Sequence, residues 1–433
     1  MQCLRGSTGG VPGMGALEDK PYIVSWNLTR RCNLLCPHCY LEANPPIPPL
    51  EKGGKGGLSA ELTESEAKFV IDELSYLNSR LMLVLSGGEP MLRKDIFDIV
   101  EYASQSGFIT VLGSNGTLLT RENIKFLRAA GLKGAGISID STVPESHDSF
   151  RGLSGAWELS VSALRAAREA GLETQLDVTL TDQNWREIDN FVELGVDLGA
   201  RAVNFFFLVC TGRAMSTNIS TENYDSAIQY IAKLSSGERR LMVRARCAPH
   251  VYRILHQDGF PIPEGTRGCL AGRSYMRIDP EGNVTPCPYM PLAIGNIKEN
   301  SLTPLWEDAP LLKLLRQGSY KGRCGACEYG EICGGCRARA LVKKGDPMEE
   351  DPLCAYKPSG RDAIVLSDTF KTDLLWEENA KDRIKKIPIF MRGMITRVIE
   401  AKARERGISV ITSELIDEIK TKGYPDMHGN HKR

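Results

Sequence analysis

Tyr22-Ile-Val-Ser-Trp-Asn-Leu28 leads through Thr29-Arg-Arg31 into Cys32-Asn-Leu-Leu-Cys36-Pro-His-Cys39-Tyr40. The first seven residues look like a strand. The cysteines follow it directly, so they fall on a loop at a strand's C-terminal end. Their spacing, C-x3-C-x2-C, puts three thiolates on one short loop, enough to hold three irons of a 4Fe–4S cube. The fourth iron then has no protein ligand nearby and stays open to a small molecule. Zinc is the rival, because His38 sits inside the motif. Structural zinc, however, takes four ligands in pairs, which a lone triplet does not supply.

Outward from this loop, the chain alternates. Leu81-Met-Leu-Val-Leu85 is a short apolar run suited to a buried parallel strand. Further strand-like runs are Ile109–Gly113, Gly134–Ile139, Thr174–Leu180 and Ala202–Leu208. A long helical pattern spans about Thr63 to Asn78, and others lie near 95–106, 121–131, 155–171 and 184–198. Six strands alternating with helices argue for repeated right-handed βα units around a parallel sheet, doubly wound or an incomplete barrel. In both, chemistry collects at the C-terminal ends of the strands.

The chain has 433 residues, with 54 Lys+Arg balanced by 54 Asp+Glu. Zero net charge gives no sign of an overall attraction to nucleic acid or an anionic membrane. No apolar run approaches the ~20 residues that span a bilayer. Residues 1–20 read as a flexible Gly-rich tail without a signal peptide's apolar stretch. The expectation is a cytoplasmic protein.

The 13 cysteines depart from this ordinary composition. A reducing cytosol keeps thiols unpaired, so clustered cysteines point to metal or redox sites rather than disulfides. Residues 44–60, rich in Pro and Gly, read as a mobile insertion. Within a second unit taken as 216–358, the stretch from about 247 to 358 is rich in Gly, Pro and Cys, with a short helix near 304–316. A segment from 370 to 425 is helical again, with a turn at Lys386-Ile-Pro388, a break at Gly407 and a cap at Thr412. Between Lys381 and Arg406 there are nine basic and three acidic residues. They read as a solvated face or a patch for an anionic ligand.

The triplet resembles that of the radical S-adenosylmethionine superfamily, in which an aromatic residue, here Tyr40, follows the last cysteine. Ser86-Gly-Gly-Glu-Pro90, after the second strand, is similar to the family's glycine-rich element for the methionine amino group. The resemblance implies roles in cofactor binding for Gly87, Gly88, Glu89 and Pro90, with Glu89 accepting from an ammonium. Ser114-Asn115-Gly116 and Ser138-Ile-Asp140 look like positions lining the cofactor pocket. His147-Asp-Ser-Phe-Arg151-Gly is similar to an element whose Arg meets the methionine carboxylate. Asp140 and Arg151 could equally form a structural ion pair. The resemblance covers residues 21–215 and implies a partial (β/α)6 TIM-type barrel. Its cofactors would be S-adenosylmethionine and one 4Fe–4S cluster held by Cys32, Cys36 and Cys39.

The later cysteines resemble the SPASM extension, an iron–sulfur domain with one or two auxiliary clusters. By resemblance, Cys324, Cys327, Cys333 and Cys354 hold one cluster. Cys269, Cys287 and Cys336 hold another, with Cys247 as fourth ligand, an open site, or His250 contributing. The family run has three residues between the last two cysteines of the central block, where this chain has Gly334 and Gly335. Taken alone, the C-x2-C pairs read as zinc knuckles. Behind this barrel they read as cluster ligands. Cys3 and Cys210 match no motif.

Gly268-Cys-Leu-Ala-Gly272, Val284-Thr-Pro-Cys-Pro288 and Cys247-Ala-Pro-His250 look most like the branch of heme and heme-d biosynthesis, which trims siroheme-derived tetrapyrroles. The last helices resemble the domain that ends a subunit of light-independent protochlorophyllide reductase. The implied substrate is a small molecule, a tetrapyrrole, with a ferredoxin- or flavodoxin-type electron donor and no nucleic-acid partner. Two other readings stand beside it: a SPASM maturase that modifies a peptide or protein by thioether cross-linking or formylglycine formation, and a non-enzymatic iron–sulfur electron carrier.

Overall fold

The computed structural model describes residues 20–43, 61–216, 219–238, 240–260, 262, 266–364, 374–385, 387 and 389–421. The insertion at 44–60, Cys3 and most of the N-terminal tail lie outside the described residues. Six strands build the first part of the sheet: β1 (Ile23–Asn27), β2 (Met82–Ser86), β3 (Ile109–Ser114), β4 (Gly134–Ser138), β5 (Glu173–Leu180) and β6 (Ala202–Phe207). Each pairs in parallel with the next. Between them run α1 (Glu64–Leu77), α2 (Ile96–Gln105), α3 (Arg121–Ala129), α4 (Pro144–Arg151), α5 (Ala156–Glu169) and α6 (Ile188–Asp197).

Local chemistry sets these elements. Thr63 caps α1 through a reciprocal pair: its hydroxyl accepts from the Glu66 N–H, and the Glu66 carboxylate accepts from the Thr63 N–H. Along β1, Val24 and Trp26 are fully buried beneath the helices, whereas Ser25 and Asn27 share the opposite face. The helix expected over 304–316 is two, Leu302–Asp308 and Pro310–Gln317, because Pro310 removes an amide donor and starts a new helix.

The sheet extends beyond six strands. After α7 (Thr221–Gly237), β7 (Met242–Arg246) pairs with β6, and α8 (His250–Gln257) follows. β8 (Tyr275–Ile278) returns to pair in parallel with β1 and continues antiparallel into β9 (Asn283–Thr285). The order across the parallel run is β8-β1-β2-β3-β4-β5-β6-β7, so the barrel does not close between β7 and β8. β7 lies just before the cysteine-rich stretch and β8 within it.

The C-terminal helices have a core of their own around Trp376, Ala380, Ile399 and Ile411. Thr412 caps the last helix, its hydroxyl accepting from the Leu415 N–H at 3.3 Å. The basic stretch is less unbalanced than its own residues suggest. Lys381, Arg383 and Arg406 pair with Glu378, Asp417 and Glu418, which lie outside the counted window. Lys402 and Arg404 pair with Glu405 and Glu400. No described helix is long and apolar enough to cross a membrane.

Candidate active site

The loop after β1 carries the cysteine triplet over the strand ends. Cys32 and Cys36 are buried, and Leu34, Leu41 and Ala43 pack around them. The glycines after β2 are needed for contact with this loop. Gly88 N–H donates to Thr29 O at 2.7 Å and Glu89 N–H to Arg31 O at 2.8 Å. A Cβ on Gly88 would stand 2.3 Å from Arg31 O, and Gly87 has φ +147° with Thr29 O 2.7 Å from its would-be Cβ. Side chains there would push the two loops apart. Arg213 braces the same loop, donating to Cys36 O and Ala43 O.

Glu89 is fully buried, and three donors of the chain already meet its carboxylate. Its carboxylate accepts from the Ser114 hydroxyl at 2.9 Å, the Asn115 N–H at 2.9 Å and the Met91 N–H at 3.2 Å. Burial pushes its pKa up to about 7 in spite of these donors. Glu89 therefore ties the β2 loop to the end of β3. Pro90 follows as the first residue of a short 3-10 turn. Asn115 is held in turn: its Nδ2 donates to Asn33 Oδ1 at 3.0 Å and points at Cys32 Sγ at 3.9 Å. Tyr40 OH accepts from Asn27 Nδ2 at 3.0 Å, and its ring meets Tyr289 edge-on at 5.0 Å. Ser138 ends β4 in register with Asp177.

Asp140 and Arg151 form an ion pair, Oδ2 to Nη2 at 2.5 Å, both side chains buried. Thr179 N–H fixes the other carboxylate oxygen at 2.8 Å. Burial opposes ionisation of Asp140, but the Arg151 guanidinium and His38 hold its pKa below the usual range. Arg151 Nη1 also reaches Cys36 Sγ at 3.7 Å. His38 lies flat on Phe150, with Nε2 3.7 Å from Asp140 Oδ2. Burial lowers the pKa of His38 and of the neighbouring His147 to about 4, so both are neutral near pH 7. His147 Nδ1 accepts from the Asp140 N–H at 3.1 Å.

The residues fit a cluster and a polar cofactor. Burial raises the Cys32 thiol to about 11, so a thiolate there calls for a positive partner such as iron. Three polar atoms beside the triplet make no hydrogen bond within the chain: His38 Nδ1, Asp140 Oδ2 and Arg151 Nε. For Asp140 and Arg151 this means a close ion pair rather than an aligned hydrogen bond. Among the described residues no group of three or more Cys, His, Asp or Glu side chains is arranged to hold a metal ion. A cube takes one thiolate per iron, at separate corners.

The other cysteines form two groups. Cys324, Cys327, Cys333 and Cys354 line one cavity, together with His250 and Arg253. Cys287 lies close to Cys247, Cys269 and Cys336: burial raises its thiol first, and the charges of those three thiols add to it. Cys247 has φ +55°, an uncommon backbone for a residue with a side chain. His250, weighed above as a partner of the Cys269 group, lines the cavity of the other four thiols. Cys210 is partly exposed.

Spacing gave no signal for a buried network between the two groups. Asp351 accepts from Arg339 Nε at 2.8 Å and Nη2 at 2.7 Å, and from the Cys336 N–H at 2.7 Å. Arg339 also donates to Cys247 O at 3.1 Å. An acidic residue three positions before Cys354 was visible in the sequence, but only folding brings it to Arg339.

Residues 26–195 match the Radical SAM superfamily and residues 269–336 the SPASM iron-sulfur cluster-binding domain. Residues 376–420 match the proto-chlorophyllide reductase 57 kD subunit. The AdoMet-dependent heme synthase of Methanosarcina barkeri is 38% identical over 358 residues, which cover 80% of this chain and 99% of that protein. Pre-heme d1 synthase of Dinoroseobacter shibae is 31% identical, covering 79% of this chain and 88% of its own. Streptococcus suis SuiB bound to S-adenosylmethionine superposes with a TM-score of 0.62 over 78% of each chain. At 17% identity, that likeness shows the fold alone.

Proposed function

The chain belongs to the radical S-adenosylmethionine superfamily, in the branch with a SPASM domain, and from this premise we propose that it trims a side chain of a carboxylated tetrapyrrole in heme or heme-d biosynthesis. It is an enzyme that uses S-adenosylmethionine and iron–sulfur clusters. The observation that carries the substrate reading is the match along nearly the whole length of the Methanosarcina barkeri heme synthase.

Cys32, Cys36 and Cys39 hold the cluster at the barrel mouth. The chemistry supplied when cluster and cofactor are bound is one-electron cleavage of the S–C5′ bond, which yields a hydrogen-abstracting 5′-deoxyadenosyl group. Arg151 offers its Nε–H to the methionine carboxylate, while Asp140 keeps the guanidinium in place. Glu89 is a positioning residue that acts through Ser114 and Asn115. Asn115 and Arg151 aim N–H groups at the sulfurs of Cys32 and Cys36, which favours the thiolate over the thiol. The loop that carries the triplet, closed over the strand ends by Leu34 and Leu41, keeps water from the reacting atoms. A cytoplasmic ferredoxin or flavodoxin supplies the electron, and the two further cysteine groups hold auxiliary clusters.

The test is anaerobic reconstitution with S-adenosylmethionine, a chemical reductant and a propionate-bearing tetrapyrrole. Formation of 5′-deoxyadenosine together with a mass loss from the tetrapyrrole is the expected result. Formation of 5′-deoxyadenosine without any change in the tetrapyrrole would overturn the substrate reading and leave the family standing.

A further inference from the structure

The inner face of the barrel is unusually basic at its two open ends. On β7, Arg244 and Arg246 share the face of Met242, opposite Val243, which packs in the core. On β8, Arg277 pairs in register with Ser25 and lies on the face of Asn27. These strands end the parallel run on either side, so the arginines occupy the two walls that fail to meet. Asp177 is an acidic side chain close to Arg244 and Arg246. Burial raises its pKa to about 6, with Asn204 and Arg246 pulling the other way. Burial and then Arg246 lower Arg244 to about 9, a sign of positive charge in excess.

Arg246 and Arg277 are held in the same way. Arg277 Nε donates to Asn27 Oδ1 at 2.6 Å, and Arg246 Nε donates to Asn204 Oδ1 at 3.2 Å. Each asparagine is fixed by its own amide: Asn27 Nδ2 donates to Tyr40 OH, and Asn204 Nδ2 to Asp177 Oδ1 at 2.8 Å. Anchoring at Nε leaves both Nη groups of each fork without an acceptor among the described residues. Among the described residues no carboxylate lies within ion-pair distance of either arginine. Arg277 is buried and Arg246 half-buried; a guanidinium drawn from water with a neutral partner is costly, and a planar carboxylate matches its two Nη–H groups.

We infer that Arg246 and Arg277 are the anchors for two carboxylates of the substrate, one on each side of the opening between β7 and β8. This rests on the tetrapyrrole reading and deepens it, because a propionate-bearing macrocycle carries several carboxylates around a flat ring. Tyr40 links the Arg277 anchor to the cysteine loop through Asn27. A substrate gripped at Arg277 is thereby registered against the site of hydrogen abstraction. Lysine at either position would keep the charge and lose the fork.

The experiment measures binding of coproporphyrin, with four propionates, and of its tetramethyl ester in the same mild detergent, by Soret absorbance on the reconstituted enzyme. Iron content and the visible cluster spectrum are recorded for each protein. The native chain binds the acid more tightly than the ester. Arg246→Gln and Arg277→Gln each weaken acid binding about 10- to 100-fold, leave ester binding and iron content unchanged, and are only partly rescued by Lys. Native enzyme that binds no carboxylated tetrapyrrole overturns the substrate reading and this inference with it. Native binding that both Gln variants retain overturns this inference alone. Equal loss of acid and ester binding also overturns it, assigning the arginines a structural role.

Discussion

Two cysteine regions of this molecule carry the same device: an aspartate between an arginine and a histidine. At the barrel mouth Asp140 pairs with Arg151, and His38 Nε2 stands 3.7 Å from its Oδ2. In the cysteine-rich part Asp351 pairs with Arg339, and His250 Nε2 stands 3.7 Å from its Oδ2. The difference lies in what each pair holds. Arg151 reaches a cysteine sulfur, and the pair itself leaves Asp140 Oδ2 and Arg151 Nε without hydrogen bonds, whereas of Asp351, Arg339 and His250 only the histidine's Nε2 is so left. Asp351 and Arg339 spend their bonds on backbone, on Cys336 N–H and Cys247 O. The first arrangement suits three thiols and a visiting ligand. The second suits four thiols that must only be kept in place.

Removing thiols breaks the comparison most severely. Cys32→Ala takes about four of roughly twelve irons from the chain and brings 5′-deoxyadenosine formation to background. Cys354→Ala takes a similar amount of iron but leaves reductive cleavage without substrate conversion. Iron analysis and product chromatography read both. If Cys354→Ala abolished cleavage as completely as Cys32→Ala, the two regions would not be functionally distinct.

The ion pairs come next. Asp140→Asn or Asp351→Asn leaves a buried guanidinium uncompensated, at about 3–5 kcal/mol in either case. Denaturant unfolding measures that shared loss. The distinction is in the second readout: Asp140→Asn weakens S-adenosylmethionine binding, and Asp351→Asn speeds iron release to a chelator. Glu89→Ala has a smaller effect. It strands the donors of Ser114, Asn115 and Met91, for a loss of about 1–3 kcal/mol, and its signature is slower cofactor cleavage at unchanged iron content.

These devices differ in how far the sequence revealed them. The triplet and the first six strands were legible because parallel strands buried beneath helices are continuous apolar runs. β7 and β8 were not. Met242-Val-Arg-Ala-Arg246 and Tyr275-Met-Arg-Ile278 put arginines on the inner face, which hides the apolar signal. The Asp140–Arg151 pair was visible as an alternative, since both residues stood in recognisable motifs. The partners of Glu89 were not legible, because a motif shows that a carboxylate is present and not which donors of the fold will meet it. Arg339 lies in the helix Arg337–Lys344 and Asp351 in the loop after it, twelve positions on, so no single periodicity links them.

Acid separates the two regions last and most gently. A histidine in the unfolded chain takes a proton near pH 6.5, whereas burial delays His38, His147 and His250 to about 4. Between those values the unfolded state binds more protons, so stability contributed by each histidine is complete above pH 6.5 and is lost as pH falls toward 4, of order 1 kcal/mol or more apiece. Glu89 works in the opposite sense. Its raised pKa, about 7, means that acidification from pH 7 relieves a buried charge at the barrel mouth. His250 has no such neighbour, since Asp351 is held far below the usual range by Arg339 despite its burial. His250→Gln should therefore flatten the fall in thermal midpoint between pH 6.5 and 4. Equal slopes for the variant and the native chain would mean that His250 accepts a proton at no cost, and that Asp351 serves it as a ready counterion rather than as a fixed strut.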